Sequence, residues 1–128
     1  VKTMLNLMKA KKSLKVIDEQ IGTPTWAKGF ALAIWSALTE KITGIHHWTD
    51  AGLASWYDFA VAIQDEALQL AIFENPVIIT PVPTSYFPTP AKRPAYSVLN
   101  KSSFWQLLDL KPVHWRHQLQ IMLKESLH

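Results

Sequence analysis

Five prolines fall between Pro81 and Pro94. Proline lacks an N–H and has a fixed φ, which closes this stretch to an α-helix and to a central strand. Whatever the fold, it must carry a long irregular segment between regular elements. Such loops in a compact domain are usually functional or disordered. Tyr86, Phe87, Arg93 and Tyr96 make this one unlike a disordered tail.

Around that segment the apolar residues are periodic. Val1, Met4, Leu5 and Met8 recur at helical spacing, followed by lysines that suit a helix C-terminus. Leu14 to Ile17 reads as a strand, and Asp18 to Thr25, with Gly22 and Pro24, as a loop. Trp26, Phe30, Ile34 and Leu38 step by four along a second helix, and Ile45 to Thr49 reads as a second strand after Gly44. Ser55 followed by Asp58 is a capping-box variant. It announces a helix with Trp56, Phe59, Ala60, Ile63, Ala67 and Leu70 on one face. Val77 to Thr80 is a β-branched strand, and Tyr96 to Leu99 a short extended piece. Asn100 caps a helix from Lys101 to Leu108, and Pro112 starts the last one, with Trp115, Leu119, Met122 and Leu123 facing inward. Alternation of this kind predicts an α/β or α+β domain, with Trp26, Phe30, Trp56 and Phe59 in its core.

The chain has 128 residues, enough for one domain. Its 48% hydrophobic and 18% charged content is that of a globular protein. The net charge of +3 comes largely from Lys9, Lys11, Lys12 and Lys15. That is a solvated helix end and not the dense basic stripe of a nucleic-acid binder. No apolar run reaches the ~20 residues that span a bilayer. There is no Cys, which removes disulfides and thiolate chemistry and fits the cytoplasm. The chain starts without Met and its first helix begins mid-element, so it reads as a piece of something longer.

No catalytic constellation emerges from the residues alone. Gly22, Gly29, Gly44 and Gly52 build no glycine-rich dinucleotide turn. A short-chain reductase needs a Tyr with a Lys four residues on. Tyr57, Tyr86 and Tyr96 are followed there by Val61, Pro90 and Asn100. His46 and His47 would face opposite sides of a strand. His114 and His117 share a helix face without an obvious further pair of ligands, and read as ordinary histidines.

Three stretches add to this: VIDEQIGTPTWA (Val16 to Ala27), GIHHWTDAGLASWYDFAVAI (Gly44 to Ile63) and PTSYFPTPAKRPAYSVLN (Pro83 to Asn100). In this order and spacing they resemble the C-terminal half of dTDP-4-dehydrorhamnose reductases, which are extended short-chain dehydrogenase/reductases. The opening VKTMLNLMK and the ending HWRHQLQIMLKE resemble helices of the same family. The resemblance implies the C-terminal part of a Rossmann-like α/β fold, a few short strands packed with about five helices. It implies that residues 1–128 are a substrate-binding portion, and that a dinucleotide-binding domain absent from this chain holds NADPH or NADH and the catalytic Tyr and Lys. The activity implied is reduction of dTDP-4-dehydro-L-rhamnose to dTDP-L-rhamnose, for cell-surface polysaccharides such as lipopolysaccharide O-antigen. This portion alone is then inactive. The alternative is a non-catalytic nucleotide-sugar-binding or regulatory module of the same superfamily.

The resemblance also places the segment matching Tyr86 to Ser97 near the nucleotide-sugar. Arg93 suits a diphosphate contact, because a guanidinium donates two parallel hydrogen bonds; it equally suits a tie between the proline loop and the body. Tyr86 or Tyr96 would stack on thymine or touch the sugar. Gln20, Thr23 and Thr25 stand between a strand and a helix, where open α/β sheets often bind ligands, although Thr25 also suits the start of a helix. Some members are dimers with a divalent ion held by glutamates. Glu125 matches one such position, but Lys28 stands at the other, and a cation in place of a ligand argues against that metal. The oligomeric state stays open. Partners are a dTDP-sugar and the missing domain.

Overall fold

The computed structural model describes residues 1–126. Its centre is the helix announced by the capping box. Ser55 Oγ accepts from the Asp58 N–H at 3.0 Å, and the Ser55 N–H donates to Asp58 Oδ2 at 2.9 Å. Two N-terminal donors are thereby satisfied. The helix that follows, Trp56–Gln69, is the third of five α-helices among the described residues and is called α3. It buries Ala60, Ala62, Ile63 and Ala67. Those small residues let its neighbours approach: α1 (Lys2–Ala10) through Met8, β1 (Ser13–Ile17) through Leu14 and Val16, and α5 (Trp115–Glu125) through Trp115, Leu119 and Leu123. Ser55→Ala in the complete protein is expected to cost ~1 kcal/mol. It should lower the urea midpoint without changing the slope. An unmoved midpoint would show that burial alone holds this helix.

β1 pairs in parallel with β4 (Ile78–Val82), with Leu14 opposite Ile79 and Val16 opposite Pro81. The strand expected over Val77 to Thr80 thus continues through a proline. The Ile78 N–H donates to Lys12 O, and Val82 O accepts from the Asp18 N–H. Residues 78, 80 and 82 therefore turn their backbone groups toward β1, and Pro81 turns its nitrogen away. Its missing N–H breaks no ladder bond, and β4 is an edge. A second ribbon pairs β2 (Ile21–Gly22) antiparallel with β3 (Ala54–Ser55). The whole is the mixed α/β arrangement that alternation predicts.

Four expectations need correction. Ile45 to Thr49 is not a strand: Ile45 is 93% exposed, and no other strand lies alongside. Aromatic contact holds the segment instead. His46 stacks on Phe104 at 5.0 Å, and Trp48 meets the same ring edge-on at 6.1 Å. Pro112 does not start the last helix. Ala51 accepts from the Trp115 N–H and donates to Val113 O, which keeps residues 113–114 extended, and His114 then caps α5. Asn100 does accept from the Ser102 N–H, at 3.2 Å, and α4 runs Ser102–Leu107. The stripe Phe30, Ile34, Leu38 on α2 (Ala27–Thr39) is exposed; only Ala33 of that helix is buried. Finally, of the four expected core aromatics, Phe59 packs on the core, Trp26 is half-buried, and Phe30 and Trp56 are exposed.

Candidate functional site

Both ends of the proline segment are clipped to one tripeptide. After β1 the chain turns through Asp18, and Glu19 Oε2 accepts from the Thr84 N–H at 2.7 Å. Gln20 Nε2 donates to Thr84 Oγ1 at 3.5 Å. Ile21 holds the other end: its N–H donates to Ala95 O at 2.8 Å, and its carbonyl accepts from the Ser97 N–H at 2.9 Å. The loop is irregular for the reason its prolines give, yet its neck is closed by backbone bonds. Arg93 stands just before that neck. It lines a cavity of about 250 Å3 together with Gln20, Ser97 and the first turn of α3.

Among the described residues, Arg93 supplies the only ionisable side chain in the wall of that cavity. The rest is apolar, from Ile21, Pro94, Trp56 and Phe59, or uncharged and polar, from the hydroxyls of Thr23, Ser55 and Ser97 and the amide of Gln20. Such a wall can hold an anion and a ring. Among the described residues it contains no Tyr, His, Lys or carboxylate to move a proton.

The other residues singled out in the sequence lie elsewhere. Tyr86 Oη accepts from Lys15 Nζ at 2.6 Å, and the ammonium also stands 4.4 Å from the ring centroid. That pair pins the turn Thr84–Tyr86 to β1, outside the cavity wall. Tyr96 bridges to Ile21 through its backbone, with its side chain 61% exposed. Thr25 Oγ1 donates to Thr23 O at 3.1 Å and lines a second cavity of about 470 Å3 with Trp26, Asp50 and Trp115. The structure thus brings Gln20, Thr23 and Arg93 to one cavity and leaves Tyr86, Tyr96 and Thr25 outside its wall. Reading the sequence missed Trp56 as a wall residue and placed it in the core, while Ser97 was reached only as the end of the segment Tyr86 to Ser97. The signal for Trp56 was its place directly after the Ser55 cap, at the open end of the helix.

Thr23 leads from the cavity wall to two buried ionisable residues, Lys101 and Asp50. Asp50 accepts from the Trp26 N–H at 3.0 Å, at the start of α2. Burial raises its carboxyl above the usual carboxylate range, against the opposing pull of the Trp26 and Gln118 hydrogen bonds and the Lys101 charge. Burial likewise lowers the Lys101 ammonium, and Asp50 raises it back. Lys101 Nζ reaches Thr23 Oγ1 at 3.4 Å, while Thr23 donates to Gly52 O at 2.9 Å. The cavity floor is thereby tied to the helix start. Gly52 sits at φ +88, and a Cβ there would come within 2.4 Å of the His114 ring.

Among the described residues no group of three or more His, Cys, Asp or Glu comes together. Glu125, which the resemblance put forward as a ligand, instead accepts from Lys28 Nζ at 2.7 Å. An ammonium holds the carboxylate that a metal would need.

The family model described as the RmlD substrate binding domain matches residues 1–128. The dTDP-4-dehydrorhamnose reductase of Aggregatibacter actinomycetemcomitans is 39% identical over 127 residues, which cover 94% of this chain and 43% of that protein. The spore coat polysaccharide biosynthesis protein SpsK of Bacillus subtilis is 37% identical over 126 residues, covering 98% of this chain and 41% of its own. A crystal structure of a dTDP-4-dehydrorhamnose reductase from Clostridium acetobutylicum superimposes with a TM-score of 0.85 at 38% identity, over 99% of this chain and 43% of that one. The Bacillus anthracis reductase, solved in complex with NADP, gives 0.82 at 27% identity, over 97% of this chain and 42% of that one. The chain spans less than half the length of these relatives. Matched from its first residue to its last by one family, and sharing that family's fold, it belongs to the RmlD substrate-binding domain family.

Proposed function

We propose that residues 1–128 are the substrate-binding portion of an NAD(P)H-dependent dTDP-4-dehydrorhamnose reductase, and that the cavity at the neck of the proline loop receives its nucleotide-sugar. The observation that carries this reading is the guanidinium of Arg93, which is alone among the described residues in an otherwise uncharged, largely apolar wall. A guanidinium in such a setting suits a diphosphate, since it donates two parallel hydrogen bonds to it. Gln20, on the same wall, supplies an amide beside it. Tyr86, Tyr96 and Thr25 reach only those parts of the ligand that extend beyond the cavity.

The dinucleotide has no cradle among the described residues. Gly22 lies in β2, Gly29 inside α2, and Gly44 and Gly52 in turns, so none opens a helix after a strand as pyrophosphate binding requires. In this reading NADPH or NADH supplies the hydride from a domain upstream of Val1, which also carries the acid. The part played by the present residues is to grip the sugar nucleotide and fix its orientation. The product, dTDP-L-rhamnose, would feed cell-surface polysaccharides such as O-antigen. The relative named for spore coat polysaccharide biosynthesis supports that setting. No helix among the described residues is long and apolar enough to cross a membrane, and the reading sets the reaction in the cytoplasm.

In the complete protein, Arg93→Ala is expected to weaken nucleotide-sugar binding by ~1.5–3 kcal/mol, the range for a charged hydrogen bond. The measurement is KM and kcat for dTDP-4-dehydro-L-rhamnose, followed by nicotinamide absorbance. Unchanged constants would remove Arg93 from the site. Tight binding with no turnover by the unaltered protein would favour a regulatory module over an enzyme.

A further inference from the structure

Trp56 has no partner for its ring. It opens α3 immediately after the cap, and it is 54% exposed although it stands in a cavity wall. Among the described residues no aromatic ring or cation stacks on it. Phe59, three residues on and so on the same helix face, meets Trp115 edge-on at 5.8 Å. The wall is therefore stiff behind the indole and open in front of it.

The hydroxyls nearby sharpen the ligand's chemistry. Thr23 Oγ1 donates its proton to Gly52 O at 2.9 Å, and Ser97 Oγ donates to Ile21 O at 3.2 Å. With those protons committed inside the protein, both oxygens offer a ligand lone pairs only. The cavity thus presents a flat apolar face, hydroxyl oxygens that accept, the amide of Gln20 and one guanidinium. A matching ligand is a flat ring with an N–H to donate, tethered to an anion. At about 250 Å3 the cavity falls below the ~300–1,000 Å3 of pockets that enclose a whole drug-sized molecule, so it fits a ring and its tether.

We infer that Trp56 is the stacking platform for the pyrimidine base of a nucleoside diphosphate whose phosphates Arg93 holds. This rests on the nucleotide-sugar reading above and adds to it the residue that takes the base, a role the resemblance suggested for Tyr86 or Tyr96. Both tyrosines lie outside the wall.

The test is calorimetric titration of the complete protein with two probes, thymidine diphosphate and inorganic pyrophosphate. Trp56→Ala should raise the Kd for thymidine diphosphate by ~5–100-fold, as loss of a base–aromatic stack does. It should leave pyrophosphate binding unchanged. Arg93→Ala should weaken both. Trp56→Phe should bind thymidine diphosphate more tightly than Trp56→Leu, a comparison that still serves if alanine unfolds the protein. Equal binding by the Phe and Leu variants overturns the inference, as does a Trp56→Ala protein that binds thymidine diphosphate like the wild type. Failure of the unaltered protein to bind thymidine diphosphate overturns the nucleotide-sugar reading itself, and this inference with it.

Discussion

The isolated 128-residue chain is expected to self-associate in solution, and the cause is α2. Phe30, Leu32, Ile34, Trp35 and Leu38 are all exposed on that helix, Trp35 at 72%. Contiguous apolar surface of this kind is uncommon on a monomer and marks a contact face. The helix also lacks what an exposed helix usually has: its N-cap makes no side-chain bond, and it has no acidic residue in its first turn or basic residue in its last. Its packing here is confined to a small cluster of Ala33 and Ala37 with Phe104 and Leu108, which leaves the apolar face without cover among the described residues. Sedimentation of the chain should give concentration-dependent species above the monomer mass. A Trp35→Glu, Leu38→Lys variant should shift them back toward monomer. A clean monomer of the unaltered chain, melting in one cooperative transition, would show that α2 needs no cover.

The same helix shows where sequence reading succeeds and where it stops. Period-four spacing correctly identified α2 as a helix, but which side of it is covered depends on surfaces the pattern does not contain. α3 was more legible, because its capping box is a local signal and Ala60, Ile63 and Ala67 of its expected face are buried, although Trp56 of that face is exposed and Ala62 and Glu66 are buried as well. The strand expected at Ile45 to Thr49 failed for the opposite reason. Its composition suits a strand, but pairing needs a neighbour, and the segment's rings meet Phe104 instead. Pro112 suits a helix start equally well, and only the contact with Ala51, far away in sequence, delays α5 to Trp115. At the site, residue type pointed to Arg93 as an anion contact but could not bring Trp56 to it. That proximity depends on Ile21 clipping the loop between β2 and the start of α3, a long-range arrangement with no local signature.

Arg116→Met is expected to destabilise the complete protein by ~2–3 kcal/mol, the cost of leaving a buried charged group short of a partner. Glu66 is 4% exposed, in the middle of α3. Its Oε1 accepts from Arg116 Nε at 3.3 Å and from Gln120 Nε2 at 3.0 Å, both on α5. Arg116 Nη2 also donates to Asp65 Oδ2 at 2.9 Å. The Asp65 hydrogen bond, opposed by partial burial and aided by Glu66, holds the guanidinium even more firmly charged than usual. No change of pH in the working range will therefore release it, and substitution is the way to remove it. Methionine keeps most of the stem, so the loss reads the charge more than the packing. Adding Glu66→Gln should restore much of it, because the buried group is then neutral and still bonds Gln120. The double-mutant cycle should give a coupling energy of ~1–2 kcal/mol. Lys28→Met serves as the contrast. Lys28 and Glu125 lie closer, at 2.7 Å, but their side chains are 55% and 47% exposed. That pair should contribute ~0–1 kcal/mol. If Arg116→Met and Lys28→Met shift the urea midpoint equally, burial of Glu66 is not what ties α5 to α3.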